Sequence, residues 1–127
     1  MHSTCTGTRV AAQSGRFPVH AQTSLKNVED PTAGMPRNMT GLGEKLAAGG
    51  YRTHFVGKWD AGMATPAQTP KGRGYSSSLF YFEHKNDFWT QGCLQSVCCF
   101  NQTGAPAAGF WNLSLTDLWD GDGPARA

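Results

Sequence analysis

Residues 40–62 constrain the fold more than any other stretch of the chain. Leu42 and Leu46 share one helical face at a spacing of i, i+4, Thr40 is suited to the N-cap, and Gly49-Gly50 stops the pattern. A helix is therefore predicted over residues 40–48. Residues 51–56 follow at once as a β-rich run of the buried type. A helix feeding a short apolar strand is the rhythm of an α/β sheet. Residues 57–62 then fall at the carboxyl end of that strand, where open α/β sheets bind ligands.

The rest of the chain is less regular. Residues 8–13 form a short helix stopped by Ser14-Gly15, and residues 17–36 an irregular loop with turn residues at Asp30-Pro31 and Gly34. Residues 62–74 are a loop rich in Thr, Pro and Gly. Residues 75–82 alternate weakly, as a strand does, and residues 86–90 suit a helical turn. Beyond Gln91 the pattern fades, and residues 120–124 form a loop. With 16 glycines and 7 prolines, many short loops are expected. The 127 residues fit one domain but are too few for a large enzyme with helices on both sheet faces.

The formal charge is +2, and Lys and Arg are scattered from Arg9 to Arg126 without a basic block. Nothing here attracts nucleic acid or an anionic membrane surface. No apolar run approaches the ~20 residues of a membrane span. Residues 1–9 are polar and contain no signal-peptide core. Cys5 stands alone, whereas Cys93, Cys98 and Cys99 cluster and can form one disulfide with one thiol left over. N-x-[ST] sequons at Asn38, Asn101 and Asn112 join that cluster in pointing to a secretory compartment.

Three motifs carry chemistry, and their order matters. The first is Cys5-Thr-Gly-Thr-Arg9 followed by Ser14-Gly-Arg-Phe-Pro18. The second is residues 40–51, TGLGEKLAAGGY. The third is residues 53–62, THFVGKWDAG. The first resembles the sulfatase signature C-x-[PA]-[ST]-R with its downstream T-G-R-[YF]-P. The second is similar to that family's T-L-A-E-x-L-x-x-A-G-Y helix, and the third to its T-x-x-V-G-K-W-H-L-G. Arg73-Gly-Tyr75 resembles the family's R-G-[FY]-D, and Asn86-Asp-Phe88 falls where its acidic-aromatic segment falls. One such motif is weak; three in order at family-like separations are a strong signal. The resemblance is best over residues 3–90.

The resemblance implies a partial α/β fold: a fragment of an alkaline-phosphatase-like three-layer sandwich, with a mixed, mostly parallel sheet and flanking helices, across residues 1–127. It implies hydrolysis of sulfuric esters, arylsulfatase-like, on a sulfated small molecule or glycan. By resemblance Cys5 is converted to formylglycine by the formylglycine-generating enzyme, and its hydrated aldehyde is both nucleophile and metal ligand. Arg9 holds the diol, Lys58 contacts the sulfate oxygens, and a calcium or magnesium ion polarises them. Lysosomal or extracellular residence follows from the same source, as does a small cysteine loop supporting a disulfide among residues 93–99. Oligomeric state is not legible.

Two residues depart from the family pattern. Gly7 replaces Pro or Ala in a motif that the modifying enzyme reads in extended form, so poorer conversion is expected. Asp60 replaces a histidine; it can accept a proton but cannot act as an imidazolium, so a base or orienting role is expected, with pairing to Lys58 or approach to a metal as alternatives. The family's metal carboxylates are an Asp-Asp pair before the signature and an Asp-Asn pair far downstream. Neither is expected among these residues, so the chain is expected to be an incomplete segment, inactive by itself.

Plainer readings stand beside these. Cys5 could be an ordinary thiol, Lys58 a surface lysine and Asp60 a loop-capping carboxylate. His54 is expected to pack in the core, and the aromatic residues Trp59, Phe88, Trp89, Trp111 and Trp119 likewise. His84 with the cysteine cluster fits no common zinc spacing. A phosphate-ester enzyme of the same superfamily is disfavoured by the cysteine signature, since those enzymes use Ser or Thr. A non-catalytic, sulfatase-derived glycan-binding or interaction protein is the alternative from another class.

Overall fold

The computed structural model describes residues 5–21, 30–82, 89 and 117–125. Within them, helix α1 spans Cys5–Ser14 and helix α2 Leu42–Ala48. Four strands, β1 (His54–Lys58), β2 (Ser77–Tyr81), β3 (Leu118–Asp120) and β4 (Gly123–Pro124), form one mixed sheet in that order. The α/β class is as expected. Of the three pairings, β1 with β2 is parallel, with His54 opposite Ser77 and Lys58 opposite Tyr81; β2 with β3 and β3 with β4 are antiparallel.

Helix α1 starts at Cys5, three residues before the predicted start. Thr6, Gly7 and Val10 form a buried stripe at helical spacing, and Gly15 closes the last turn by donating its N–H to the Ala11 carbonyl. Helix α2 is capped by Gly41 rather than Thr40, because the Glu44 carboxylate reaches back to the Gly41 N–H. The buried face of α2 differs from the one its leucines suggest. Leu42 and Leu46 are 46% and 36% exposed, and the helix packs through Gly43 instead. A Cβ there would lie 2.6 Å from the Arg73 carbonyl oxygen and 2.8 Å from the Tyr75 ring.

Among the described residues the sheet buries one face. Phe55, Trp59, Phe80, Phe82 and Trp119 meet edge to face, with Phe55 to Trp59 at 5.0 Å and Phe80 to Phe82 at 4.8 Å between centroids. Such pairs add about 0.5–1.5 kcal/mol beyond the area they bury. Val10 from α1, with Met35, Ala61 and Tyr75, completes this core. The other face carries His54 and Val56, the latter 77% exposed. The doubly buried strand and core histidine expected from the sequence are thus corrected. Neighbouring residues point to opposite faces of a strand, and Phe55 takes the core side. His54 lies outside, its Nδ1 2.7 Å from Ser77 Oγ.

The crossover from β1 to β2 uses residues 59–76 and two 3-10 turns, Pro66–Gln68 and Lys71–Arg73. Arg73 anchors it. Its side chain is almost wholly buried, and Nη2 donates to the Met35 and Pro36 carbonyls at 2.7 Å each, while Nη1 donates to Met39 O and sits 3.5 Å from Glu44. Burial pushes its pKa down, and Glu44 opposes that. The predicted loop over residues 120–124 is instead the tight β3–β4 turn, with Gly121 at φ 61°.

Candidate active site

Helix α1 and the end of β1 bring the candidate residues together. Cys5 is the first residue of α1 and its thiol is exposed. Amide N–H groups at a helix start have no intrahelical acceptor, and the macrodipole favours an anion there. No acidic residue occupies the first turn to oppose one. Arg9 lies one turn on, and its Nη1 donates to the backbone carbonyl of Lys58. A residue chosen for its charge thus also ties α1 to β1.

The end of β1 is shaped by two unusual backbone angles. Gly57 has φ 115°, a conformation that L side chains rarely adopt, in open space where a Cβ would touch nothing. Asp60 has φ 48°, the sole positive value outside glycine among the described residues. Aspartate, asparagine and histidine are the residues most often found there. The register is fixed beyond β1, because Trp59 N–H donates to Tyr81 O and Asp60 N–H to Phe82 O, both at 2.8 Å. The Trp59 indole N–H, donating to Gly62 O and Gln68 O, holds the turn that follows.

Between these anchors sit Lys58 and Asp60. The Lys58 side chain is 8% exposed and its Nζ lies 2.9 Å from Asp60 Oδ2, whose side chain has no exposed surface. Asp60 Oδ1 accepts the Thr6 hydroxyl at 2.7 Å. A carboxylate removed from water costs several kcal/mol unless engaged. A charge-assisted hydrogen bond returns about 1.5–3 kcal/mol. Of the roles expected for Asp60, pairing with Lys58 is the one seen. Thr6, 3% exposed, is the member that the sequence did not single out. A small polar residue in a first turn carries no signal of a partner 54 positions away.

Among the described residues no three His, Cys, Asp or Glu side chains group as metal ligands. Asp60, the acidic side chain of this cluster, faces a hydroxyl and an ammonium. The described residues therefore do not fit a hard cation, which takes about six to eight oxygens, as a set of their own. Asn38 lies in an exposed turn. Asn101 and Asn112, the cysteines at 93, 98 and 99, His84, Trp111 and the segment at residues 86–88 lie outside the described residues. Trp89 is 94% exposed, against the expected core position, whereas Trp59 and Trp119 join the core as expected.

Comparison with known proteins adds to this geometry. A family model described as Sulfatase matches residues 1–106. Arylsulfatase A of Bos taurus is 35% identical over 119 residues, 91% of this chain and 22% of that relative. Arylsulfatase J of Mus musculus is 30% identical over 88 residues, 68% of this chain and 14% of that relative. The chain therefore spans under a quarter of either relative's length. The crystal structure of Ps i-CgsB superposes with a TM-score of 0.60 at 24% identity, covering 68% of this chain and 19% of that one. Its complex with k-i-k-neocarrahexaose matches at the same TM-score with 23% identity, and both concern the fold. No helix of the described residues is long and apolar enough to cross a membrane.

Proposed function

The chain belongs to the sulfatase family, whose members hydrolyse sulfate esters and generally bind a divalent metal, and from that premise we propose that it forms the nucleophile-and-lysine half of such a site. The supporting observation is convergence: on α1, Arg9 donates to the Lys58 carbonyl at the carboxyl end of β1, and Thr6, the neighbour of Cys5, donates to Asp60.

In this reading Cys5 is converted to formylglycine by its generating enzyme, and water adds to the aldehyde to give a gem-diol. One diol hydroxyl gives up its proton as its oxygen attacks sulfur, and the S–O bond to the alcohol breaks as the alcohol leaves with that proton. The second hydroxyl then yields its proton to water, the C=O bond re-forms, and the C–O bond to sulfate breaks. Splitting one displacement into two in this way is covalent catalysis. Arg9 orients the diol, and the Lys58 ammonium faces the charge that grows on the sulfate oxygens. A calcium or magnesium ion, if bound, would be held by Cys5 as formylglycine together with ligands from outside the described residues, and would supply positive charge to those oxygens. The substrate is a sulfated small molecule or glycan; the carbohydrate held by the Ps i-CgsB structure favours a glycan. The sequons, Asn38 among them in an exposed turn, and the cysteine cluster support a secretory route to the lysosome or the outside.

The test uses the full-length protein made with the generating enzyme and assayed on 4-nitrophenyl sulfate. Cys5→Ala abolishes turnover, and Lys58→Ala lowers kcat on the order of 10²–10³-fold, as loss of one oxyanion donor does. Unchanged turnover in either variant removes that residue from the site. One observation favours a second reading, a non-catalytic glycan-binding protein: Asp60, where the family has histidine, partly neutralises Lys58. That reading predicts glycan binding with no turnover, unaffected by Cys5→Ala.

A further inference from the structure

One polar chain runs from the first turn of α1 to the Lys58 ammonium at the end of β1. Thr6 donates to Asp60 Oδ1 at 2.7 Å, and Asp60 Oδ2 lies 2.9 Å from Lys58 Nζ. Resting on the sulfatase reading above, we infer that Asp60 and Thr6 are positioning residues: together they buckle the first turn of α1 to the end of β1 and set where the Cys5 nucleophile stands relative to the Lys58 ammonium.

The residues involved are placed for this. Thr6 adjoins Cys5, and Asp60 lies two residues beyond Lys58, so the buckle joins positions within two residues of both reacting groups. It is buried, at 3% exposure for Thr6 and 0% for Asp60, so water does not compete for its hydrogen bonds. The carboxylate is itself fixed: its backbone holds φ 48° and its N–H is bound to Phe82 O. Arg9, donating to Lys58 O, forms the second tie, one turn along α1. The Asp60 oxygens face Thr6 and Lys58 with no exposed surface, whereas Cys5 opens to solvent. Asp60 thus acts through Thr6 and Lys58 rather than on substrate. Misplacement of a reacting group by ~1 Å costs about 10²-fold in rate, so a buckle of this kind shows in kcat.

The experiment is a double-mutant cycle on the full-length, formylglycine-bearing protein with 4-nitrophenyl sulfate. Thr6→Val should lower kcat roughly 10- to 100-fold while KM moves less than about twofold, and Thr6→Ser should restore most of the rate. Thr6→Val with Asp60→Ala should cost no more than Asp60→Ala alone, since both break one unit. If Thr6→Val does not fold, Thr6→Ala removes the same hydroxyl without added bulk and makes the same comparison. An active parent in which the Thr6 variants are neutral, or multiply with Asp60→Ala, overturns the buckle and leaves the sulfatase reading intact. A parent inert toward the ester overturns both.

Discussion

Two ion pairs among the described residues show why burial decides what a charge is worth. Lys71 and Asp122 pair with side chains 51% and 64% exposed; Lys58 and Asp60 pair at 8% and 0%. Exposed pairs are screened and carry side-chain entropy, so Lys71→Ala should change stability by under about 1 kcal/mol. Lys58→Met should cost about 3–5 kcal/mol, because the Asp60 carboxylate stays buried without its ammonium. Urea denaturation of the full-length protein checks both, and equal small losses would contradict the burial argument. At this scale the sequence was informative wherever chemistry sits in a contiguous motif. Cys5, Arg9, Lys58 and Asp60 were singled out from such motifs, and the structure ties Arg9 to Lys58 and pairs Lys58 with Asp60. The partners were not: whether Asp60 serves as base, metal ligand or ion-pair partner depends on which segment the fold lays beside it. Only the structure puts Thr6 there.

Elements were legible in kind and less so in facing. The α2 pattern of leucines was read correctly as helix, yet the contact is made by Gly43, because close approach of a helix to the Arg73 carbonyl needs the smallest residue, not the most apolar one. Gly43→Ala should therefore cost about 1–3 kcal/mol by overpacking, although alanine is the better helix former by about 1 kcal/mol. A stabilised variant in thermal melts would refute that packing. The R-G-Y motif has a comparable explanation. Arg73 donates to the carbonyls of Met35, Pro36 and Met39, so Arg73→Lys should lose about 2–4 kcal/mol, since an ammonium cannot span that fork and buried carbonyls go unmet. A melting point unchanged by Arg73→Lys would show the fork to be dispensable. The antiparallel β3–β4 hairpin escaped the sequence because its strands are three and two residues long, too short for any periodicity to register.

For the molecule as a whole, a mixed sheet with one aromatic-covered face presents the end of β1 to the start of α1, and that junction is where the first and third motifs meet. Family and fold class were readable because three motifs kept their order; the geometry of the junction was not, since it arises from contacts between residues about fifty positions apart. The central claim is that Cys5 is the nucleophile precursor of a sulfate-ester site. Its most direct test is a mass spectrum of the Cys5-bearing peptide from the full-length protein, expressed with the formylglycine-generating enzyme. The account predicts a population carrying the aldehyde at residue 5, reduced in yield by Gly7 and raised by Gly7→Pro; an intact cysteine thiol in every molecule, in parent and Gly7→Pro alike, would contradict it.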